Sequence, residues 1–329
     1  MMQIFKKYLT IEKCFSILLL LIFALCIQAC GSEQARETEE EEMTEEKEER
    51  EVVEVTTNLM DFQMVGELPS GWHTFEYSNN SREVHFFLFN KYPEGKTIED
   101  GKQEVLPVFQ KGMDLINEGK PEEGFEAFGA LPEWAFEVEF RGGAGLISPG
   151  KKSQTTIKLE PGYYVMECYV KMANGMFHAT MGMVHELVVT EEKSDHMPPV
   201  SNASIEISSE EGIVFNTPIV EGEKTFSVHF KDQTVHENFM GHDVNLVRLS
   251  DDADLEELEK WMNWVDPKGL ITPSPEGVTF FGGVSDLPEG STGYFTAVLV
   301  PGKYAFVSEV PNAIEKNMLK TFEVVSRAR

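Results

Sequence analysis

The sequence predicts an all-β body made of two tandem Greek-key β-sandwiches, each interrupted by helical insertions. Short runs rich in aromatic and β-branched residues alternate with turns of glycine, proline and asparagine. This spacing is typical of a sandwich rather than of a parallel sheet. The same pattern then recurs later in the chain after a constant interval. We therefore expect two copies of one fold.

The repeat interval is 140 residues, and it separates Gly143, Gly150 and Tyr164 from identical residues in the second copy. A polar stretch with two adjacent prolines lies between the copies, as is usual at a domain boundary. The predicted segments are a first sandwich over residues 55–192, a linker over 193–204 and a second sandwich over 205–326.

Each element follows from its local pattern. In the first copy, aromatic and β-branched runs predict strands, and a helical interruption separates the second strand from the third. The predicted strands cover residues 72–77, 84–89, 136–140, 155–159, 163–170 and 184–190, and the interruption covers 97–128. In the second copy, apolar residues recur with a helical period over residues 251–265.

The N-terminus has the layout of a secretory signal. Three lysines precede a largely apolar run over residues 15–27, which is short for a membrane-spanning helix. The run leads to Ala29 and Cys30, and this pair resembles a lipobox, in which a small residue precedes the cysteine that receives the lipid. We predict a bacterial-type lipoprotein signal peptide over residues 1–29 and lipidation of Cys30. An uncleaved anchor is the alternative.

An acidic segment over residues 30–54 follows, rich in glutamate and without aromatic residues. Such a segment cannot bury enough apolar surface to fold, so we predict a disordered tether. It also resembles a surface-export signal of bacterial lipoproteins, although a simple spacer fits equally well. The predicted location is the cell envelope, lipid-anchored to the outer membrane, either facing the periplasm or exposed at the surface.

The net charge and the positions of the cysteines limit the possible partners and site chemistry of the protein. The formal net charge of −28 at pH 7 argues against nucleic-acid partners, which bind basic patches. Cys14 and Cys26 lie in the predicted signal peptide and Cys30 would carry lipid, so Cys168 is the one free thiol of the mature chain. Such a thiol is a buried small hydrophobic residue, a reactive group or a metal ligand.

Residues 161–168 read PGYYVMEC, and the chain continues to His178 and Met183 with the spacing C-x9-H-x4-M. These surroundings of Cys168 resemble the C-terminal half of a cupredoxin, the fold of type 1 blue copper proteins. In cupredoxins this loop carries the Cys, His and Met copper ligands. His85 stands where the early histidine ligand is expected, and it would reach the site from across the sandwich. The resemblance thus implies one copper ion held by His85, Cys168, His178 and Met183.

A thiolate and two imidazoles suit copper in both oxidation states, and a weak thioether tunes its reduction potential. We therefore predict a membrane-anchored copper-binding cupredoxin that acts in electron transfer or copper handling outside the cytoplasm, with a redox protein of unknown identity as partner. Taken singly, each residue also fits ordinary packing. A metal-free tandem sandwich that serves as a surface binding or assembly module therefore stays open.

The second copy does not keep the predicted ligands. Ser308 stands 140 positions after Cys168, and a hydroxyl is a poor copper ligand. No histidine follows His242, so the second copy has no counterpart of His178. The counterpart of His85 is either His242 or His236. We expect this copy to be structural or to form a binding surface.

The resemblance also argues against an enzyme. Glu167 directly precedes Cys168, where copper nitrite reductases have a histidine. Multicopper oxidases carry His-x-His pairs, and the sequence contains none; it also lacks G-x-S-x-G and H-E-x-x-H. The chain is therefore expected not to be an enzyme.

Overall fold

The computed structural model describes residues 52–327, and two copies of a β-sandwich form this part of the chain. The predicted all-β fold class is confirmed. The strands of the first copy are β1 (Val52–Asn58), β2 (Asp61–Gln63), β3 (Glu67–Asn79), β4 (Leu88–Lys91), β5 (Glu139–Phe140), β6 (Lys152–Leu159), β7 (Gly162–Glu167) and β8 (Val184–Lys193). Those of the second copy are β9 (Ala203–Ser208), β10 (Gly212–Phe215), β11 (Ile219–Val220), β12 (Gly222–Phe230), β13 (Val244–Leu249), β14 (Val278–Val284), β15 (Thr292–Leu299), β16 (Gly302–Val307) and β17 (Leu319–Val325).

Helices interrupt both copies where the helical period predicts them. In the first copy, a turn at Ile98–Asp100 and a π-helical segment at Gly101–Val105 lead into α1 (Leu106–Asn117), which is followed by α2 (Pro121–Phe128). The second copy contains α3 (Leu255–Met262). The Asp254 carboxylate caps α3 by accepting hydrogen bonds from its first backbone N–H groups.

One predicted strand is largely absent. Residues 136–140 fall in a 3-10 helix at Glu133–Glu137 and in the two-residue strand β5. The Trp134 ring packs on Tyr92 with 5.3 Å between ring centroids, and its Nε1 donates to Glu104 at 2.6 Å. The aromatic run therefore reflects side-chain packing against the helical insertion rather than strand pairing.

In the first copy, β3 belongs to both sheets. Its first residues pair with β8, and from Gly71 onward it pairs with β6. Gly71 has φ of 127°, which glycine adopts readily, and it lies where the strand changes partner. Between the sheets lies an aromatic core that includes Phe75, Tyr77 and Phe87, each completely buried.

In the second copy, β10, β9, β12 and β15 form one sheet face, and β11, β17, β16, β13 and β14 form the other. Strand β15 also pairs antiparallel with β6, so the two copies share one twelve-stranded sheet. The described residues belong to one compact unit.

The copies are related by an approximate twofold axis. Thr155 in β6 lies directly opposite Phe295 in β15, and the Tyr169 hydroxyl donates to the Glu309 carboxylate at 3.1 Å. The members of each pair are 140 positions apart, so equivalent positions meet each other. This is the arrangement that a twofold axis produces.

The repeated glycines have a steric cause. A Cβ atom at Gly143 would lie 2.0 Å from the carbonyl oxygen of Phe87, and one at Gly283 would lie 1.9 Å from that of Val244. Atoms do not approach so closely, so only glycine fits at either position. The two contacts also show that Phe87 and Val244 are equivalent.

Among the described residues, no helix is long and apolar enough to cross a membrane. The predicted signal peptide, Cys30 and nearly all of the predicted tether lie outside residues 52–327. Strand β1 begins at Val52, slightly before the predicted start of the first sandwich at residue 55. The predicted segment boundaries otherwise stay predictions.

Candidate metal centre

Cys168 and His178 are brought together by the loop that follows β7. The His178 N–H donates to Val170 O at 2.8 Å, and the Ala179 N–H donates to Cys168 O at 2.9 Å. These bonds make a short ladder between the outgoing and returning chain. The backbone alone therefore holds the imidazole beside the thiol.

His85 lies just before β4, and β4 pairs with β7 in the same sheet. The histidine thus comes from the neighbouring strand, and the expectation that it reaches across the sandwich is wrong. Its backbone is fixed by two bonds with Ile147: the His85 N–H donates at 3.2 Å and the Ile147 N–H donates back at 2.7 Å. Asn79 Nδ2, at the end of β3, donates to the same Ile147 oxygen at 2.9 Å, and this bond holds the turn between β3 and His85 in place.

The three donor atoms converge on one point. Cys168 Sγ is 3.7 Å from Nδ1 of His85 and 3.7 Å from Nδ1 of His178, and the two Nδ1 atoms are 3.1 Å apart. The centre of a triangle with these sides lies about 2.0 Å from each corner, and metal bonds to nitrogen and sulfur measure about 2.0 to 2.3 Å. One metal ion fits at this centre. Within residues 52–327, this is the group of three His, Cys, Asp or Glu side chains placed to hold a metal.

Burial sets the protonation of the donors, since all three side chains are completely buried. Burial, followed by repulsion from His178, lowers the pKa of His85 to about 3. Burial also lowers the pKa of His178 to about 4. Both imidazoles are therefore neutral at neutral pH and can each offer a lone pair.

Burial raises the pKa of the Cys168 thiol to about 12, although backbone hydrogen bonds from Phe86 and Val170 to the sulfur favour the thiolate. The metal-free thiol is therefore protonated at neutral pH. A metal ion must displace this proton, as is general for thiolate sites.

The outer nitrogen of His178 faces a carboxylate. His178 Nε2 and Glu83 Oε2 are both buried without a hydrogen-bond partner, and they lie 3.9 Å apart. A histidine that binds metal through Nδ1 carries its proton on Nε2, and an acceptor there orients the ring. Glu83 is placed to be that acceptor. No sequence motif marks Glu83, because the contact arises from the turn after β3.

Met183 is completely buried at the same end of the sandwich. Its backbone N–H donates to His178 O at 3.0 Å, so the residue lies next to the ligand loop. Coordination of the metal by its thioether stays a prediction.

The second copy has no comparable arrangement in its described residues. His85 and His242 lie two residues before the equivalent Phe87 and Val244, so the counterpart of His85 is His242 and not His236. His242 Nε2 is 2.9 Å from Nε2 of His236. The hydroxyl of Ser308, at the position of Cys168, instead donates to Asp243 at 2.7 Å.

The strand order and the position of the thiol decide the fold. Each copy is a two-sheet sandwich, and in the first a buried cysteine follows the penultimate strand beside two inward-facing Nδ1 atoms. The fold is cupredoxin-like. The donor set of one thiol and two imidazoles suits copper.

No protein-family model matches the sequence, and no curated protein is significantly similar to it. Among solved structures, a reduced auracyanin from Roseiflexus castenholzii matches 42% of this chain and 94% of its own, with 19% identity and a TM-score of 0.26. A copper nitrite reductase from Nitrosomonas europaea matches 83% of this chain and 93% of its own, with 12% identity and a TM-score of 0.22. A multicopper oxidase matches 84% of this chain and 87% of its own, with 10% identity and a TM-score of 0.22.

These matches correct one expectation. From the sequence we expected that the chain is not an enzyme. The reasons were that Glu167 stands where copper nitrite reductases have a histidine and that several catalytic motifs are lacking. The similar structures include a copper nitrite reductase and multicopper oxidases, which are enzymes. The exclusion of enzymatic activity is therefore wrong, because the lack of these motifs does not by itself exclude an enzyme.

Proposed function

We propose that this protein binds one copper ion in a type 1 site and uses it to transfer single electrons outside the cytoplasm. His85, Cys168 and His178 are the proposed equatorial ligands, and Met183 is the proposed weak axial ligand. The observation that supports this is the convergence of two Nδ1 atoms and one Sγ atom on a point about 2.0 Å from each.

Copper in this site would supply a one-electron couple. The residues of the chain supply rigidity and exclude water. Backbone hydrogen bonds hold His85 and His178 in their positions without metal, and complete burial keeps solvent away from the donors. A site fixed in this way changes little when the charge of its ion changes.

The test is titration of the metal-free protein with Cu(II). We expect the intense visible absorption of a copper–thiolate bond, and we expect Cys168→Ser to abolish it. His178→Asn should weaken copper binding strongly. His236→Asn is the matched control, because this histidine lies outside the proposed site, and it should leave the absorption unchanged. A protein that stays colourless and binds no copper would instead support a metal-free surface module.

We also propose that the chain is a lipoprotein of the cell envelope, anchored through Cys30 and held off the membrane by its acidic tether. The apolar run, Ala29 and Cys30 support this, together with the glutamate-rich segment that follows. In bacterial cells, Cys30→Ser is expected to abolish incorporation of labelled fatty acid and to move the protein out of the membrane fraction. Labelling that survives the substitution would refute the anchor.

A further inference from the structure

A cavity of about 380 Å³ lies between the two copies, and its volume is within the range of small-molecule binding sites. The first copy supplies Phe109 and Trp134 to the wall, and the second copy supplies Trp264. Tyr169, which follows Cys168 in the chain, also lines the cavity. The cavity therefore lies beside the metal centre and is bounded by aromatic rings from both copies.

Four large apolar side chains at this cavity are open to solvent. Phe136 is 68% exposed and Phe140 is 43% exposed in the first copy, and Val235 is 69% exposed and Phe239 is 49% exposed in the second. Single exposed apolar residues are common on proteins, whereas several around one concave site mark a binding surface. A ligand that covered them would remove apolar surface from water, which is favourable.

The backbone that places Phe239 at the cavity is strained. Phe239 has φ of 63° and the preceding Asn238 has φ of 61°, in a region that bulky side chains rarely adopt. Two hydrogen bonds hold Asn238: Trp264 Nε1 donates to its carbonyl at 2.9 Å, and its own Nδ2 donates to Asn263 Oδ1 at 3.0 Å. Strain that the surroundings maintain in this way is typical of functional sites.

The polar groups of the wall are turned to partners within the protein. Trp134 Nε1 donates to Glu104 at 2.6 Å, Trp264 Nε1 donates to a backbone carbonyl, and the Tyr169 hydroxyl donates to Glu309 at 3.1 Å. Three further oxygens have no partner but also have almost no accessible surface, so a ligand cannot reach them; they are Asn90 Oδ1, Thr180 Oγ1 and Asp286 Oδ1. A polar ligand would therefore lose its hydrogen bonds to water and gain few in return.

The wall also offers little charge to an ionic ligand. Among the described residues that line it there is no lysine, arginine or histidine, so an anion finds no partner. Burial, followed by the charge of Asp243, raises the pKa of Asp286 well above its ordinary value and favours the uncharged carboxyl. Glu167 is the other acidic group of the wall, but Lys96 Nζ already lies 4.8 Å from the centroid of the Trp134 ring and disfavours a second cation there.

We propose that this cavity binds a flat, uncharged aromatic molecule with few or no hydrogen-bonding groups. Its rings would pack edge to face or in offset stacks against the wall, as Phe109 and Trp264 already do with each other at 6.0 Å between ring centroids. The proposal does not depend on copper, so it can be tested separately from the proposed function.

The experiment is isothermal titration calorimetry, in which the metal-free chain is injected into one of four probes with the same two-ring skeleton. Naphthalene is apolar, 2,6-dihydroxynaphthalene has a hydroxyl group at each end, 2,6-naphthalenedicarboxylate is an anion and 1-methylquinolinium is a cation. We expect naphthalene to bind about tenfold or more tightly than the diol, because in either orientation one hydroxyl enters the cavity without a partner. Both ions should bind more weakly than naphthalene. No binding of naphthalene, or tightest binding of the diol or of either ion, would overturn the proposal.

Four variants locate the binding site. Phe136→Ala and Phe239→Ala each remove an exposed ring of the wall, one from each copy, and should weaken naphthalene binding about fivefold or more. Ala135→Trp places a large side chain in the wall without removing one, and it should abolish binding. Phe125→Ala is the matched control, since Phe125 is 42% exposed and lies outside the cavity wall. Urea unfolding checks that each variant is folded.

The variants also define the result that rejects this site. If Phe125→Ala weakens binding as much as Phe136→Ala, or if folded Ala135→Trp binds naphthalene as the unmodified chain does, the probe binds elsewhere and the cavity is not the site.

Discussion

Backbone hydrogen bonds fix the position of each donor residue of the metal centre. The carbonyl of Cys168 accepts from Ala179, and the backbone of His85 exchanges two hydrogen bonds with Ile147. These bonds form whether or not metal is present. The three donors are therefore preorganised, and the ordering of the ligands does not have to be driven by binding.

Glu83 is expected to position His178 rather than to bind metal itself. Its carboxylate lies 3.9 Å from His178 Nε2, and both atoms are buried without partners. Glu83→Gln replaces the anionic acceptor with a neutral amide. We predict a loss of about tenfold in copper affinity, measured by competition with a copper chelator. Glu94→Gln, at an exposed position, should change nothing; equal affinity in both variants would show that Glu83 has no such role.

The sequence predicted the individual ligand residues of the metal centre but not the residues that surround them. The spacing of Cys168, His178 and Met183 predicts one loop, and the structure brings the thiol and the imidazole of that loop together with His85. Glu83 was not predicted. Its contact with His178 depends on the turn after β3, which a single sequence does not reveal.

Among the structural elements, the segment between β5 and β6 passes close to the backbone just before β4 at Gly143. Gly143→Ala would place Cβ 2.0 Å from Phe87 O, and this carbonyl cannot move without disturbing β4, which begins at the next residue. We predict a loss of about 2 to 3 kcal/mol in the free energy of unfolding, measured with urea. Gly66→Ala is the control, since nothing lies within 4 Å of that Cβ, and it should change stability by less than about 0.5 kcal/mol. Similar losses in both variants would disprove the steric explanation.

Elements with a strong local pattern were predictable. Strands β6, β7 and β8 and the helical insertions lie where periodicity places them. The segment over residues 133–140 was not, because its Trp134 ring packs against Tyr92 and most of the segment forms a 3-10 helix instead of a strand. Composition alone does not distinguish these two uses of an aromatic residue.

For the whole molecule, the contact between the copies contains three buried carboxyl groups. Asp243 accepts from the backbone N–H of Glu309 at 2.7 Å, and the charge of Asp243 acts on both Asp286 and Glu309. Burial is the main cause that raises all three pKa values, to about 6 for Asp243 and well above the ordinary carboxyl value for Asp286 and Glu309. The fold therefore favours the protonated form of each group.

This cluster predicts a pH dependence of stability. Above pH 4, where free carboxyl groups have begun to ionise, the folded chain holds more protons than the unfolded chain. The free energy of unfolding should therefore fall as the pH rises through 6 and beyond. We predict a decrease of about 2 kcal/mol or more between pH 5 and pH 8 for the metal-free protein, measured by urea unfolding.

Asp286→Asn separates the cluster from the general acidity of the chain. The amide does not ionise, and it also removes one repulsive charge from Asp243 and Glu309. The decrease between pH 5 and pH 8 should become clearly smaller. An unchanged slope would assign the pH dependence to the surface charge instead.

The 140-residue repeat predicted two copies but not how they join. Strands β6 and β15 pair along their edges, and edge pairing leaves no periodic pattern in either strand. The shared sheet and the carboxyl cluster both lie at this junction. Neither was visible in the sequence.

The pairing of Tyr169 with Glu309 has a consequence for how the junction can vary. In an assembly of two identical chains, a position on the twofold axis faces its own duplicate, and a side chain there must tolerate a copy of itself. Fusion of both copies into one polypeptide removes that restriction. A donor on one side can then face an acceptor on the other, which is the pairing seen here. Each half of the chain is thus free to diverge at its most constrained positions.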